Sequence, residues 1–546
     1  MNTETWKKIF LEAPSFDKTK SYEALKKMAL SPLDLTKDGV ITPLRLQEMQ
    51  AMGAGFTLLY GCERVTDTVM RALFQLATER HAMEQMKAMQ DGEIVNFIEG
   101  HPSERRAALH TAMRDIFDQK IESKIAGEAR SRVLEEHEKL KAFINKLDSE
   151  KRFSEMIFIG IGGSELGPKA LFHALSFYQR KDRHIHFICN IDPDDVAQVI
   201  AKANLMKSLV VVISKSGTTL ETATNEEFVR AEFAKKGIDA KEHFVAITMP
   251  QTPMDDTNRY KEVFHVWDYV GGRYSATSMV GGLLLSFGVG YHEYLELLRG
   301  AHEMDLVALR DDPKENLPLL AALLGIWNRN FCGYATVAVI PYSQLLNRFP
   351  AHLQQCDMES NGKRIDRRGN AVTFETGPVV WGEPGTNAQH SFYQLIHQGT
   401  STVPLEFIGF VQPQGNLDFE WKGTTSQDKL LSNLLAQTLA LALGQQNSNP
   451  NKVFPGNRPN SLLMAEKLTP YALGALLSYY ENKIAFQGFI WGVNSFDQEG
   501  VQLGKVLADR LIAMCAAMRV HKAVEPFPLG EALLDITKNI GRKVKV

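Results

Sequence analysis

The chain has no cysteine pair. Cys62, Cys189, Cys332, Cys356 and Cys515 are odd in number, far apart and never spaced as CxxC. That pattern excludes a disulfide framework and a cysteine-based zinc site, and it points to a reducing compartment. Long apolar runs are missing too. The most apolar helical candidate, after Pro470, is interrupted by Glu481, Asn482 and Lys483, so it reads as a core helix rather than a membrane span. There is little net charge: Lys+Arg 61 against Asp+Glu 64 leaves −3, no electrostatic case for nucleic acid or an anionic membrane. Near the N-terminus Lys7-Lys8 precede only Ile9-Phe10-Leu11 before Glu12, too short for a secretory leader. His184 and His186 share one strand face at metal-ligand spacing but lack a third ligand nearby, and they read as structural. The expectation is a cytoplasmic protein with no metal and no cofactor.

What is present is globular. A hydrophobic content of 44% over 546 residues supports a large core, either two large domains with extensions or roughly three or four of ordinary size. Apolar spacing near 3.6 predicts helices over 44–54, 65–89, 104–119 and 131–147. From Met156 short apolar runs alternate with Gly/Ser/Thr turns, predicting strands at 156–161, 184–190, 209–214, 243–248 and 263–267. After a helical section at 280–330 the pattern resumes at 334–341, 371–375 and 403–410. Such alternation means parallel-rich sheets covered by helices. The expected fold class is α/β, with two tandem α/β/α sandwiches. The expected boundaries are a helical N-terminal extension at 1–119, sandwiches at 120–285 and 286–510, and a C-terminal helical tail at 511–546. Residues 444–460 read as an exposed polar loop.

The most informative stretch is Ser214-Lys215-Ser216-Gly217-Thr218-Thr219-Leu220-Glu221-Thr222, directly after the buried run Leu209–Ile213. Five hydroxyls and a glycine where a helix begins suit a phosphate monoester, because backbone N–H groups and the helix dipole meet the anion there. A generous N-cap is the plainer alternative. Gly160-Ile161-Gly162-Gly163-Ser164-Glu165-Leu166-Gly167-Pro168-Lys169 fits neither GxGxxG nor the P-loop, since Glu165 and Pro168 occupy the deciding positions. Its glycines still permit close backbone approach to a ligand. Gly271-Gly272-Arg273 offers a guanidinium to an oxyanion, or to a surface salt bridge. Gln354–Lys363 is non-periodic and carries Glu359, a general base or a solvated loop glutamate. The loop from Gly382 delivers His390 to a helix start, as a proton shuttle or a packing residue. Gln487–Lys505 breaks one helix and begins another, placing Lys505 about two turns in.

In this order the segments GIGGSELGP, SKSGTTLET, GGRYS, DMESNGK, GEPGTNAQHSFYQLIHQGT and QGFIWGVNSFDQEGVQLGK, with ERRAALHTAMR at 104–114, resemble the glucose-6-phosphate isomerase (phosphoglucose isomerase) family. The resemblance covers about 104 to 505 and implies two sugar-isomerase domains of flavodoxin-like architecture, with roles residue by residue. Ser214, Lys215, Ser216, Thr219 and Thr222 would hold the phosphate of a phosphorylated hexose, with Gly163 and Ser164 at the border. Gln355 and Gln498 would position the sugar. Glu359 would move a proton between C2 and C1, and Arg273 would stabilise the enediolate. His390 and Lys505 would assist ring opening. In the family this histidine comes from the partner subunit, implying a homodimer with a shared site. The sequence departs from the family at Gly217, where an aromatic is common, at Ala276-Thr277-Ser278 after GGRYS, and at Cys356, Ala388 and Glu499. A sugar-phosphate-binding regulator of the same fold would need the 214–222 loop but neither Glu359, His390 nor Lys505. An amidotransferring hexosamine-phosphate synthase would begin with a nucleophilic cysteine, where this sequence reads Met1-Asn2-Thr3. A metal-dependent mannose-phosphate isomerase would need a ligand cluster.

Overall fold

The computed structural model describes residues 10–117, 123–520, 522 and 525–540. The chain forms two units, Met1–Phe496 and Asp497–Val546. Within the first, strands run β1 (Gln50–Gly53), β2 (Phe56–Leu59), β3 (Glu155–Ile159), β4 (His184–Ile188), β5 (Ser208–Ile213), β6 (Phe244–Thr248), β7 (Glu262–His265), β8 (Thr336–Pro341), β9 (Val379–Trp381), β10 (Leu405–Gln412), β11 (Glu420–Trp421), β12 (Thr424–Thr425) and β13 (Asn460–Lys467).

β5 and β6 are buried at every residue, which is why they read as unbroken apolar runs rather than alternating ones. With β3, β4 and β7 they form a wholly parallel sheet in the order β4-β3-β5-β6-β7. This is the flavodoxin-like order, whose switch point lies between the carboxyl ends of β3 and β5. The 160–169 and 214–222 segments leave those two strands, so topology alone sets the two glycine- and hydroxyl-rich turns side by side.

The second sheet runs β1-β2-β13-β10-β8-β9. β8, β9, β10 and β13 are parallel, whereas the β1–β2 hairpin joins antiparallel to β13. Ala54 and Gly55, with φ of 46° and 78°, make a two-residue turn whose twist matches the strands. The stretch 44–54 is therefore helical only over Pro43–Glu48 and then becomes a strand, so the N-terminal region is not purely helical. The span 65–89 holds two helices, Asp67–Glu79 and Ala82–Gln90, parted by left-handed His81. The helix expected at 104–119 is absent from its described residues. A 3-10 turn, His110–Met113, and a bridge between Asn96 and Arg106 stand instead, and 118–119 lie outside the described residues. Residues 131–147 fall inside a longer helix, Lys124–Glu150. At 371–375 only Ala371 is bridged, to Ile365, and the strand lies further on at β9.

Helix Pro470–Trp491 is buried at every residue except Tyr471. Several of its polar groups are paired inside the fold, while Glu481 Oε1, Asn482 Oδ1 and Gln487 Oε1 are buried without a hydrogen-bond partner among the described residues. Ser478 and Asn482 donate to Asp305, and Arg114 donates to both Asp305 carboxylate oxygens, at 2.6 and 2.7 Å, and to Glu481. Burial raises the Asp305 pKa, but the Arg114 charge and the hydrogen bonds outweigh it and the net shift is downward. Glu481, with one contact to the same guanidinium, is pushed up to about 7 by burial. Among the described residues no helix is long and apolar enough to cross a membrane.

Candidate active site

Ser214 ends β5, and the chain turns through Gly217 at φ 68° into helix Leu220–Lys235. Thr219, the N-cap, makes no side-chain capping bond; its hydroxyl lies 2.8 Å from that of Ser214, and Ser216 pairs with Thr218 at 2.9 Å. Thr222 is 2% exposed and its hydroxyl has no partner among the described residues. First-turn N–H groups and a buried hydroxyl thus meet at the positive end of a 16-residue helix, a setting that favours an oxyanion. A Cβ on Gly217 would stand 2.9 Å from the Thr252 Cβ, so an aromatic cannot replace this glycine without moving the turn.

The Lys215 ammonium is turned away from the turn. It donates to the carbonyls of Asp268 and Val270 at 2.7 and 2.8 Å, and burial pulls its pKa down to about 7. Its side chain therefore ties the hydroxyl-rich turn to the residues just before Gly271-Gly272-Arg273.

The 160–164 loop closes from the other side. A Cβ on Gly163 would lie 2.1 Å from the Gly272 carbonyl carbon and 2.6 Å from the Arg273 nitrogen, so the two backbones touch where only glycine fits. Gly162 has φ 60°, and a Cβ there would stand 3.3 Å from the Gln355 side-chain amide nitrogen, a much looser approach. Ser164 ends the 3-10 turn Gly162–Ser164 in this loop. Gln355 and Glu359 are one turn apart on helix Phe349–Asn361. The segment is thus a helix, where its sequence is non-periodic because the buried face carries Cys356, Asp357, Ser360 and Asn361 beside Leu353.

Arg273 and Glu359 converge here. Arg273 Nη1 lies 3.6 Å from Glu359 Oε2, with the guanidinium 1% and the carboxylate 21% exposed. Glu359 Oε2 is itself buried and accepts no hydrogen bond among the described residues, and neither does Gln355 Oε1. The Cys356 thiol donates to the Arg273 carbonyl at 3.2 Å, so this departure from the family pattern packs under the arginine loop.

Not every candidate joins this cluster. His390 ends the 3-10 turn Asn387–His390 and is exposed; the hydrogen bonds and ion pairs of the described residues do not link it to Glu359 or Arg273. Gln498 and Lys505 belong to the second unit. There Lys505 is exposed in the first turn of helix Gln502–Arg519, not two turns in, because the preceding Glu499–Val501 is a separate 3-10 turn. Tyr274 and Ser360 were not singled out by sequence, although both sit inside recognisable segments; buried hydroxyls beside charged neighbours were the available signal.

The cluster thus combines a helix start that favours an anion, a partly buried carboxylate and a guanidinium beside it. Such a set can hold a phosphorylated molecule, remove a proton and neutralise the resulting oxyanion. Comparison with known proteins agrees. The family model for phosphoglucose isomerase matches residues 60–525. A glucose-6-phosphate isomerase of Protochlamydia amoebophila (strain UWE25) is 58% identical over 518 residues, 94% of this chain and 96% of the relative. One from Chlamydia pneumoniae is 55% identical over 509 residues, 92% and 95% of the two chains. The crystal structure of a glucose-6-phosphate isomerase from Chlamydia trachomatis superposes with a TM-score of 0.92 at 50% identity, covering 96% of this chain and 100% of that one. With the match spanning both sheets and every segment that builds the cluster, the chain belongs to the phosphoglucose isomerase family.

Proposed function

We propose that the protein interconverts D-glucose 6-phosphate and D-fructose 6-phosphate through a cis-enediol(ate), in glycolysis and gluconeogenesis. The observation that carries the site assignment is the Glu359 carboxylate, free of hydrogen-bond donors at Oε2 and 3.6 Å from the Arg273 guanidinium, beside the β3/β5 switch point. The phosphate binds at the Leu220–Lys235 helix start through Ser214, Ser216, Thr219 and Thr222, with Lys215 bracing the turn. Gly163 and Ser164 border the sugar, and Gln355 and Gln498 orient it. Glu359 takes the C2 proton and returns it to C1 for the ketose, or the reverse for the aldose. Negative charge then develops on the C1 and C2 oxygens, where Arg273 meets it. Ring opening needs a proton delivered to the ring oxygen and one withdrawn from the C1 hydroxyl, the part assigned to His390 and Lys505.

An exposed His390 suits a histidine that serves a neighbouring site. A second copy of the chain is further supported by an apolar stripe. Leu435, Leu439 and Leu443 stand on one side of helix Ser426–Leu443 at 48, 39 and 44% exposure, while Leu434 and Leu441 fill the core. We assign a homodimer with shared sites, located in the cytoplasm, where the five free cysteines persist as thiols.

The test is Glu359→Gln in a coupled assay with EDTA present and glucose 6-phosphate as substrate. Turnover should fall roughly 10²–10⁴-fold while phosphate-dependent binding persists. Undiminished turnover would remove Glu359 from the mechanism.

A further inference from the structure

The Arg273 guanidinium does not hold itself in place. Its Nε–H donates to Ser360 Oγ at 2.7 Å, and its Nη2 donates to the Ser495 carbonyl at 2.6 Å. With that edge fixed, the planar fork sets the direction of Nη1, the nitrogen 3.6 Å from Glu359. Ser360 directly follows Glu359 in helix Phe349–Asn361 and is fully buried. One helical turn therefore carries both the carboxylate and the anchor of the cation opposite it.

Ser360 is held in its turn. Its oxygen lies 2.8 Å from the Tyr274 hydroxyl, and the Tyr274 ring stacks on buried His110 at 4.6 Å between centroids and 23° between planes. Burial and the charges of Arg114 and Arg273 hold His110 down to about 3, so the imidazole is neutral at working pH and adds no further cation behind Arg273. Ser495 is braced likewise, its hydroxyl donating to Asn361 at 2.7 Å.

We propose that Ser360 and Tyr274 are positioning residues for the isomerisation, holding the Arg273 guanidinium in register with Glu359. The proposal rests on the reading of Arg273 as the group that meets the enediolate. It assigns work to hydroxyls that touch no substrate: without Ser360 Oγ the guanidinium loses the bond that fixes Nε, its plane tilts about the remaining Ser495 contact, and Nη1 meets the developing oxyanion less well. The loss falls on the transition state more than on the bound sugar, which the phosphate turn still grips.

The test uses Ser360→Ala, Tyr274→Phe and Arg273→Met in the full-length protein. Each is assayed for kcat and KM, and for binding of two phosphorylated open-chain compounds: a hydroxamate, which resembles the charged enediolate, and a polyol, which does not. Ser360→Ala should lower kcat roughly 10–100-fold with KM within about threefold, since misplacement near 1 Å costs this much. Hydroxamate binding should weaken by a similar factor and polyol binding should stay as it was. Tyr274→Phe should show the same signature at about three- to tenfold. If Ser360→Ala does not fold, Tyr274→Phe decides alone. Loss of activity in Arg273→Met with wild-type kcat and hydroxamate binding in the hydroxyl variants would overturn the proposal and leave Arg273 in place. Full activity in Arg273→Met would remove Arg273 from the mechanism, and the proposal with it.

Discussion

Gly163→Ala forces apart two loops that now touch. The new methyl carbon would stand 2.1 and 2.2 Å from the carbonyl carbon and oxygen of Gly272, and 2.6 Å from the nitrogen of Arg273. All three are backbone atoms, so no side chain can swing away. Ordinary contact begins near 3.4 Å, so the loops must separate by about 1.3 Å at the closest atom. That movement carries Arg273, whose Nη1 lies 3.6 Å from Glu359. A shift near 1 Å costs about 10²-fold in rate, or about 2.7 kcal/mol of barrier. Overpacking of this kind also costs about 1–3 kcal/mol of stability. The assay is formation of glucose 6-phosphate from fructose 6-phosphate, coupled to its oxidation, beside thermal unfolding to count folded enzyme. Gly127→Ala is the control. Gly127 lies inside helix Lys124–Glu150 with nothing within 4 Å of an added Cβ. There alanine should leave activity alone and add about 0.5–1 kcal/mol of stability. A folded Gly163→Ala enzyme within about threefold of wild-type kcat/KM would refute the coupling of these loops to catalysis.

Thr222→Val removes the buried hydroxyl at the phosphate turn with little change of volume. KM for glucose 6-phosphate should rise roughly tenfold, the worth of one hydrogen bond to a charged group, and competition by inorganic phosphate should weaken in parallel. Asp357→Asn tests the buried carboxylate on the other face of the Glu359 helix. Burial raises Asp357 to about 7 in the folded chain from an ordinary 3.8. Between those values the folded state keeps a proton that the unfolded chain has released, so this residue costs stability as pH rises through the window. Relative to wild type, the asparagine variant should gain on the order of 4 kcal/mol between pH 4 and pH 8. Urea unfolding of both proteins at the two pH values checks it; a difference that does not grow with pH would show that Asp357 is ionised when folded.

The first sheet was legible because its strands are buried on both faces. Leu209–Ile213 can hardly be anything but a central strand, and β3, β4, β6 and β7 end within a few residues of their sequence limits. The second sheet was harder. Its β13 follows the polar 444–460 loop and ends in Glu466-Lys467, so the apolar signal shrinks to Leu462–Ala465. The β1–β2 hairpin hid inside a window with helical spacing, and its pairing with β13 joins residues some 400 apart, which no local pattern records. The Glu359 helix was hidden for the opposite reason: it buries polar groups, so hydrophobic periodicity is silent there. The candidate site residues could be named from their segments. Their mutual support was not. That Lys215 braces the arginine loop, and that Gly163 abuts Gly272, are facts of three-dimensional contact.

The central claim is that Glu359 carries a proton between C2 and C1 beside the Arg273 charge. Its most direct test follows glucose 6-phosphate deuterated at C2 by proton NMR during turnover, with wild-type enzyme and Glu359→Gln side by side. A proton on the carboxylate exchanges with water, so protium should replace part of the label, and exchange and isomerisation should fall together in the variant. Deuterium delivered wholly to C1 with none lost to solvent, or exchange that persists undiminished without Glu359, would contradict it.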